Sequence, residues 1–219
     1  MRHTRQLLPG VMVVLLLAGC SLLRPQADPT RFYILTGPPA VTEPPARSEL
    51  RGLRIGLQPV EIPAYLRGKS MVVRSGTNEI HFAEFDRWAE PLEQGITQVI
   101  KETLRSAPNV ESVSLNSYGK GFLDCEVAIT ILACEGVRGE PGMSSIRFAA
   151  AWEIRGSGTN ATASIRGGFS AKSVTWGGSG YTQLAERLSE AIAEAARALA
   201  ADLPVATNVP DRMIAPALP

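Results

Sequence analysis

The stretch Ser145-Ile146-Arg147-Phe148-Ala149-Ala150-Ala151-Trp152-Glu153-Ile154 carries the clearest structural signal in this chain. Apolar side chains recur along it at every second position. A period of two is typical of a β-strand that has one buried and one solvated face. The stretch therefore predicts such a strand, and the residues expected on its buried face are Ile146, Phe148, Ala150, Trp152 and Ile154.

Similar strands flank this stretch on both sides. Phe122–Cys134 alternates before it, Thr162–Val174 alternates after it, and glycines occur in the short connections at 139–142 and 156–160. Such connections join antiparallel neighbours, so the three strands are predicted to form a meander. Upstream, five apolar and β-rich segments predict further strands, with a hairpin turn at Ser75–Asn78: Arg31–Thr36, Leu53–Ile62, Met71–Arg74, Glu79–Phe82 and Val110–Leu115.

Two segments have the 3.6-residue apolar period of an amphipathic helix. The first is Pro91–Ser106, in which proline suits the first helical position because its missing N–H would have no partner there. The second is Tyr181–Leu203. The apolar stripes are Leu92, Ile96, Val99, Ile100 and Leu104 in the first helix, and Leu184, Leu188, Ile192, Ala195, Leu199 and Leu203 in the second.

A sheet and two amphipathic helices bury their apolar faces most simply in two layers. The sequence therefore predicts an α+β fold, a two-layer sandwich with a mainly antiparallel sheet and both helices on one face of it. This single domain is expected to cover residues 31–203. Residues 204–219 contain four prolines and little periodicity, and we expect them to form a disordered tail.

Residues 1–19 are typical of a secretory signal peptide. Arg2 and Arg5 precede the apolar run Leu7–Leu17, which is too short to span a bilayer. The sequence Leu17-Ala18-Gly19-Cys20 looks like a bacterial lipobox, in which the Cys20 thiol is acylated and cleavage makes it the first mature residue. The alternatives are an ordinary signal peptide that happens to contain a cysteine, or a single membrane anchor.

Lipid, rather than charge, is expected to hold the mature chain to the membrane. Ser21 follows the cysteine at the place where Asp would favour retention in the inner membrane, so the outer membrane is the expected destination. Residues 20–30 would then form a lipidated tether. Lys and Arg number 22 against 21 Asp and Glu. This balance gives no reason to expect a nucleic-acid partner or attraction to an anionic membrane surface.

Cys125 and Cys134 are predicted to be buried free thiols. They are nine positions apart in one predicted strand, so they should point to opposite faces and lie roughly 30 Å apart. A disulfide needs Cα atoms within about 7 Å. No histidine or further cysteine stands at metal-ligand spacing from them, so no metal site is expected.

Few residues in the chain suggest catalysis. His81 is the only histidine left once the signal peptide is removed, so any Ser-His or Cys-His mechanism would require it. The acidic residues Glu84, Asp86 and Glu90 surround Arg87, which favours a salt-bridged loop over a catalytic carboxylate pair. No nucleotide or metal-binding motif occurs. We therefore expect a protein that is not an enzyme and that needs no cofactor.

Two segments carry an unusual concentration of aromatic residues beside proline and charge. They are Val60–Arg67, with Tyr65, and Phe82–Leu92, with Phe85 and Trp88 in the predicted loop before the first helix. One interpretation is a cluster that packs the start of the helix on the sheet. The other is a partner surface, because interfaces favour Tyr, Trp and Arg.

At these segments the chain resembles the PqiC/YmbA family, the auxiliary lipoproteins of ABC-type lipid transport systems that contain mammalian-cell-entry (MCE) proteins. The resemblance runs from Cys20 to about Leu203. Besides the lipobox, it rests on Phe32-Tyr33-Ile34-Leu35, Pro59-Val60-Glu61-Ile62-Pro63-Ala64-Tyr65-Leu66, Met71-Val72-Val73-Arg74 and Trp88-Ala89-Glu90-Pro91-Leu92. The chain departs from the family at Arg67-Gly68-Lys69-Ser70, where an Asp-Arg-Pro run is common.

This resemblance implies an outer-membrane lipoprotein that docks a PqiB-like periplasmic MCE protein and helps connect the two membranes for lipid trafficking. It also implies a ring-like homo-oligomer. Binding residues tend to concentrate on loops held by a rigid scaffold. We therefore predict that partner binding involves the loops Pro63–Arg67 and Phe85–Trp88, through Pro63, Tyr65, Leu66, Arg67, Phe85 and Trp88.

Two other functions remain open at the level of sequence. The chain could serve a different envelope assembly, such as lipopolysaccharide transport or a cell-wall synthase. It could also be a lipoprotein hydrolase, which would need His81 or the acidic residues Glu84, Asp86 and Glu90 to lie in a cleft.

Overall fold

The computed structural model describes residues 27–38, 52–115, 123–140, 143–157, 164–171 and 174–204. The predicted signal peptide, Cys20 and residues 205–219 lie outside the described residues. The chain divides into two units, Met1–Thr30 and Arg31–Pro219. In the first unit, the backbone N–H and the hydroxyl of Thr30 donate to the Asp28 carboxylate at 3.0 and 2.6 Å.

The second unit contains eight strands and two α-helices among its described residues. The helices are α1, Leu92–Arg105, and α2, Tyr181–Asp202, and a 3-10 turn spans Ala64–Leu66. The strands are β1 Arg31–Tyr33, β2 Leu53–Leu57, β3 Ser70–Ser75, β4 Glu79–Trp88, β5 Val110–Leu115, β6 Cys125–Arg138, β7 Ser145–Gly156 and β8 Ser164–Ser170.

Strand β6 is the centre of the sheet. One edge of β6 pairs antiparallel with β7, which pairs in turn with β8, so the predicted meander is confirmed. The other edge pairs in parallel with β2 near its start and with β3 near its end. Beyond these, β5 joins β2 in parallel, β4 joins β3 through the predicted hairpin, and β1 joins β4 in parallel. The sheet is thus mixed, with long antiparallel ladders and short parallel ones.

Both helices pack on one face of the sheet, as predicted for a two-layer α+β sandwich. Ile100 of α1 and Leu199 of α2 meet at the same small space over Ile129 and Phe148 of the sheet. The alternating side chains of β6 and β7 supply the core under the helices. Because one face of each long strand is buried in this way, a one-residue slip would expose the whole core set.

Helix α1 begins one residue later than predicted. Pro91 has φ −54° and ψ 130°, so it is the extended residue that precedes the helix rather than its first helical residue. Its carbonyl already accepts a hydrogen bond from the Gln94 N–H at 2.9 Å. Proline is well suited to this position because its fixed φ is compatible with the turn and the missing N–H removes no helical hydrogen bond.

The two cysteines are free and buried, as predicted, but the prediction that they face opposite sides was wrong. The register of β6 against β7 shifts between Ile131 and Ala133, which makes Leu132 an extra, bulged residue. Cys125 pairs with Gly156 and Cys134 pairs with Phe148. Phe148 and Gly156 are an even number of residues apart in β7, so they lie on the same face. A bulge reverses the alternation that follows it. Both thiols therefore point toward the helices.

Candidate partner-binding face

The family-specific residues Pro59–Leu66 first run alongside β6 and contribute Val60, Ile62 and Leu66 to the core. The face of the sheet that is turned away from the helices is called the outer face here. Glu61 bridges to Thr130 of β6, and the chain then leaves the sheet in the 3-10 turn. The Leu66 and Arg67 N–H groups donate to the carbonyls of Pro63 and Ala64 at 3.0 and 3.2 Å. Pro63 fixes the entry to this turn with φ −56°.

A buried ion pair lies beneath this turn. Glu135 of β6 is 0% exposed, and its Oε1 accepts from Arg74 Nε of β3 at 2.5 Å. Arg147 Nη1 lies farther from the same oxygen, at 3.8 Å. Glu135 Oε2 is buried without a hydrogen-bond partner among the described residues. Such a carboxylate is costly to desolvate, so it depends on Arg74 for compensation.

Tyr65 connects the turn to this ion pair. Burial raises the pKa of Tyr65 to about 12, and the neighbouring Glu135 carboxylate adds to the rise while Arg74 opposes it. The pKa of Arg74 is raised in turn, chiefly by its hydrogen bond to Glu135. Tyr65 is therefore uncharged at neutral pH, and its ring holds the 3-10 turn over the charged pair.

A groove of about 780 Å³ runs beside the turn, between residues 58–67 and the outer face of β6 and β7. Its acidic lining comes from Glu61, Glu93, Glu126 and Glu153, and its basic lining comes from Arg67 and Arg155. A second space of about 520 Å³ continues past Pro63 to the bulged Leu132 and shares Glu61 and Arg67 with the first. Together they form one open surface around Arg67, with charged and apolar residues in its lining.

The structure separates the predicted partner-binding residues by exposure. Arg67 and Phe85 are exposed, Pro63 and Tyr65 are half-buried, and Leu66 is buried. Trp88 is only 4% exposed and belongs to the core. A partner-binding role for these residues stays a prediction. Because Leu66 and Trp88 are buried, they could support a partner site but not contact the partner directly.

Phe85 and Trp88 lie in strand β4, so their placement in a loop was wrong. The sequence period predicted a strand that ended at Phe82, but β4 continues to Trp88. It does so because β1 supplies hydrogen-bonding partners to its last residues, with Tyr33 opposite Trp88. The two predicted segments are nevertheless neighbours, since the Trp88 N–H donates to the Lys69 carbonyl at 2.7 Å, directly after the turn.

The residues weighed for catalysis do not form a cleft. His81 is exposed on β4, and its Nε2 lies 3.1 Å from Glu79 Oε1. Asp86 is buried, accepts from the Tyr33 hydroxyl at 2.8 Å and pairs with Arg31 at 3.0 Å, whereas Glu84 and Glu90 are exposed. Asp86 thus fastens β1 to β4. Among the residues with described positions, no group of three or more His, Cys, Asp and Glu could hold a metal ion.

The Arg74–Glu135 pair was not predicted from the sequence. The available signal was one acidic residue inside the otherwise apolar end of β6, together with one arginine in a predicted neighbouring strand. A lone charge in an apolar strand indicates either a sheet edge or a buried partner, because unpaired charges are rarely buried.

Neither helix of the described chain is long and apolar enough to cross a membrane.

Solved structures of other proteins have a similar fold. A solved structure of an uncharacterized protein aligns with a TM-score of 0.61 at 18% identity, covering 80% of this chain and 99% of that chain. A protein from Xanthomonas campestris aligns with the same TM-score of 0.61 at 13% identity, covering 78% and 93%. These likenesses show the fold alone. No curated protein matches the chain by sequence.

The family itself is shown by sequence. A family model described as an ABC-type transport auxiliary lipoprotein component matches residues 33–200, which include both helices up to the last turn of α2 and all described strands except the first two residues of β1. The match covers most of the chain, and it agrees with the resemblance found in the segments around Tyr65 and Trp88. This chain belongs to the family of ABC-type transport auxiliary lipoprotein components.

Proposed function

We propose that this protein is an outer-membrane lipoprotein that docks the periplasmic MCE component of an ABC-type lipid transport system, without catalysing a reaction itself. The observation that carries the proposal is the match to the auxiliary lipoprotein family over residues 33–200. The lipobox ending at Cys20 and the resemblance to the PqiC/YmbA family support the anchoring and the partner class. A ring-like homo-oligomer belongs to the same proposal.

The docking surface in this proposal is the groove centred on Arg67. It is held by the rigid sheet, it contains the family-specific turn, and the Arg74–Glu135 pair fixes Tyr65 beneath it. Loops fixed in this way present a preformed surface to a partner, which lowers the entropic cost of binding. Pro63 and Arg67 line this surface, Tyr65 is half-buried, and Leu66 is buried in the core.

Anchoring is tested by Cys20→Ala. Only the thiol at this position can accept the lipid, so we expect the variant to remain unprocessed or to be released in soluble form. Intact-mass measurement and membrane fractionation report the two outcomes. Recovery of the variant in the outer-membrane fraction, processed like the wild type, would contradict acylation at Cys20.

Docking is tested by affinity capture from solubilised envelope, with partners identified by mass spectrometry. We expect the wild type to capture an MCE protein, and Arg67→Glu to lower this capture about tenfold or more, because a charge reversal at an interface removes attraction and adds repulsion. Arg187→Glu is the matched control, since Arg187 lies on α2 beside Glu190, away from the groove. Equal capture by both variants would argue against the groove, and absence of an MCE protein would argue against the partner class.

A further inference from the structure

Three large apolar side chains are exposed near the first strand of the domain. Phe32 is 61% exposed, Ile34 is 57% exposed and Phe85 is 40% exposed. We call these three residues the apolar row. Exposed aromatic and aliphatic side chains that cluster in this way commonly mark a site of contact with a protein or a membrane.

Strand register brings Phe32 and Phe85 of the apolar row together on one face. Phe32 pairs with Arg87 across the parallel β1–β4 ladder, and Phe85 precedes Arg87 by two residues, so both aromatic rings project to the same side. Diagonal neighbours of this kind are roughly 7–8 Å apart, within reach of aromatic rings. Tyr33 points to the other side, where its hydroxyl donates to Asp86 at 2.8 Å. Ile34 directly follows β1 and is exposed as well.

The chain upstream of the apolar row leads directly to the proposed lipid anchor. Phe32 follows Cys20 by twelve residues, which span at most roughly 40 Å even when fully extended. Strand β1 is thus the first element of the domain after the tether. Among the described strands it also forms one edge of the sheet, so one side of it has no neighbouring strand.

We infer that the apolar row rests on the phospholipid bilayer that holds the acylated Cys20, and so orients the domain on the membrane surface. This inference rests on the anchoring in the proposed function. Phenylalanine and isoleucine side chains partition into the boundary between headgroups and acyl chains. The tether supplies the high local concentration that lets a small contact be occupied.

The size and charge of the row favour lipid over a second protein surface. Three partly exposed side chains offer on the order of 300 Å² of apolar area, whereas a stable protein interface needs about 800 Å² from each partner. The exposed charges nearby are mixed, with Lys69 and Arg87 against Glu84 and Glu90. Contact with lipid should therefore be mainly apolar and only weakly sensitive to salt.

The experiment measures the depth of single labelled positions on a membrane. The mature chain, residues 20–219 with Cys20→Ser, is held by an N-terminal histidine tag to vesicles of phosphatidylethanolamine and phosphatidylglycerol that contain a nickel-chelating lipid. An environment-sensitive fluorophore is attached at Phe32→Cys, Phe85→Cys or Met143→Cys. Burial raises the pKa of Cys125 to about 11 and that of Cys134 to about 12, so the native thiols react slowly.

Met143 is the matched control position, since it is 69% exposed and follows the end of β6, which lies level with the start of β4, whereas Phe85 lies toward the end of β4. We expect a lipid-borne quencher to reduce fluorescence at least about twofold at positions 32 and 85, with little change at 143. Equal quenching at all three positions, or none at 32 and 85, would overturn the inference. If the fluorophores on different chains quench one another while the lipid-borne quencher has no effect, the apolar row contacts a second copy of the chain, and the inference of a membrane contact is wrong.

This design separates the inference from the proposed anchor. The histidine tag replaces the acyl chains, so the result at positions 32 and 85 does not depend on acylation of Cys20. The Cys20→Ala experiment in cells could show that Cys20 is not acylated while lipid still quenches the fluorophores at positions 32 and 85. The proposed anchor would then be wrong, and the proposed membrane contact would be supported. If Cys20 is acylated but lipid does not quench the fluorophores at positions 32 and 85, the membrane contact is wrong and the anchor is supported.

Discussion

Replacing Trp88 by alanine is expected to lower the free energy of unfolding by about 3–5 kcal/mol, because a large aromatic side chain leaves a cavity in a packed core. Trp88 is 4% exposed, ends strand β4 opposite Tyr33 and lies four residues before Leu92, the first residue of α1. Its loss would therefore loosen the junction of β1, β4 and α1 together. Chemical denaturation followed by circular dichroism measures the change.

Phe85 provides the matched control on the same strand. It is aromatic and lies three residues before Trp88, but it is exposed, so Phe85→Ala should change the free energy of unfolding by no more than about 0.5 kcal/mol. An unchanged stability of Trp88→Ala combined with lost capture of an MCE partner would show that Trp88 acts at an interface. The core assignment would then have to be abandoned.

The second large effect is expected at the buried ion pair. Arg74→Met should lower the free energy of unfolding by about 3–5 kcal/mol, because it leaves Glu135 buried without its close partner. The remaining cation, Arg147, lies 3.8 Å from the carboxylate and is largely exposed, so it compensates poorly. Denaturation curves of the single variant at neutral pH measure this loss.

The double variant Arg74→Met/Glu135→Leu identifies the cause. Replacing both charges by apolar side chains of similar size removes the uncompensated charge, so stability should return to near that of the wild type. The partly exposed pair of Arg187 and Glu190, whose side chains are 38% and 58% exposed, is the control. Arg187→Met should change the free energy of unfolding far less than Arg74→Met, by no more than about 1 kcal/mol. Equal losses in the single and double variants would show that packing of the Arg74 stem, rather than charge, holds the turn.

Local sequence pattern predicted the elements of this fold better than their partners. The period of β7, the two helical stripes and the hairpin at Ser75–Asn78 all depend on residues close in the chain, and the structure confirms them. The parallel pairing of β2 and β3 with β6 depends on contacts between distant segments, which no local period encodes. The extension of β4 to Trp88 has the same origin, because β1 stabilises it from elsewhere in the sequence.

A bulge is a second limit on what the sequence pattern reveals. Leu132 interrupts the alternation of β6 without any glycine or proline to signal it, and every residue after it changes face. As a result, Glu135 points to the outer face of the sheet, beneath the turn, and Cys134 points toward the helices. The candidate partner-binding residues were named from sequence, but their division into buried Trp88 and Leu66 and exposed Arg67 and Phe85 required the three-dimensional pairing.

The position of both thiols on β6 sets a competition between folding and oxidation. In an unfolded chain Cys125 and Cys134 are close neighbours along the backbone, and loops of this size close readily. A disulfide would hold their Cα atoms within about 7 Å, whereas the extended strand keeps them roughly 30 Å apart. Native β6 and an oxidised cysteine pair therefore exclude each other. In an oxidising compartment, a newly exported chain must form the central strand before its thiols meet, or it is trapped in a covalently closed, unfolded form.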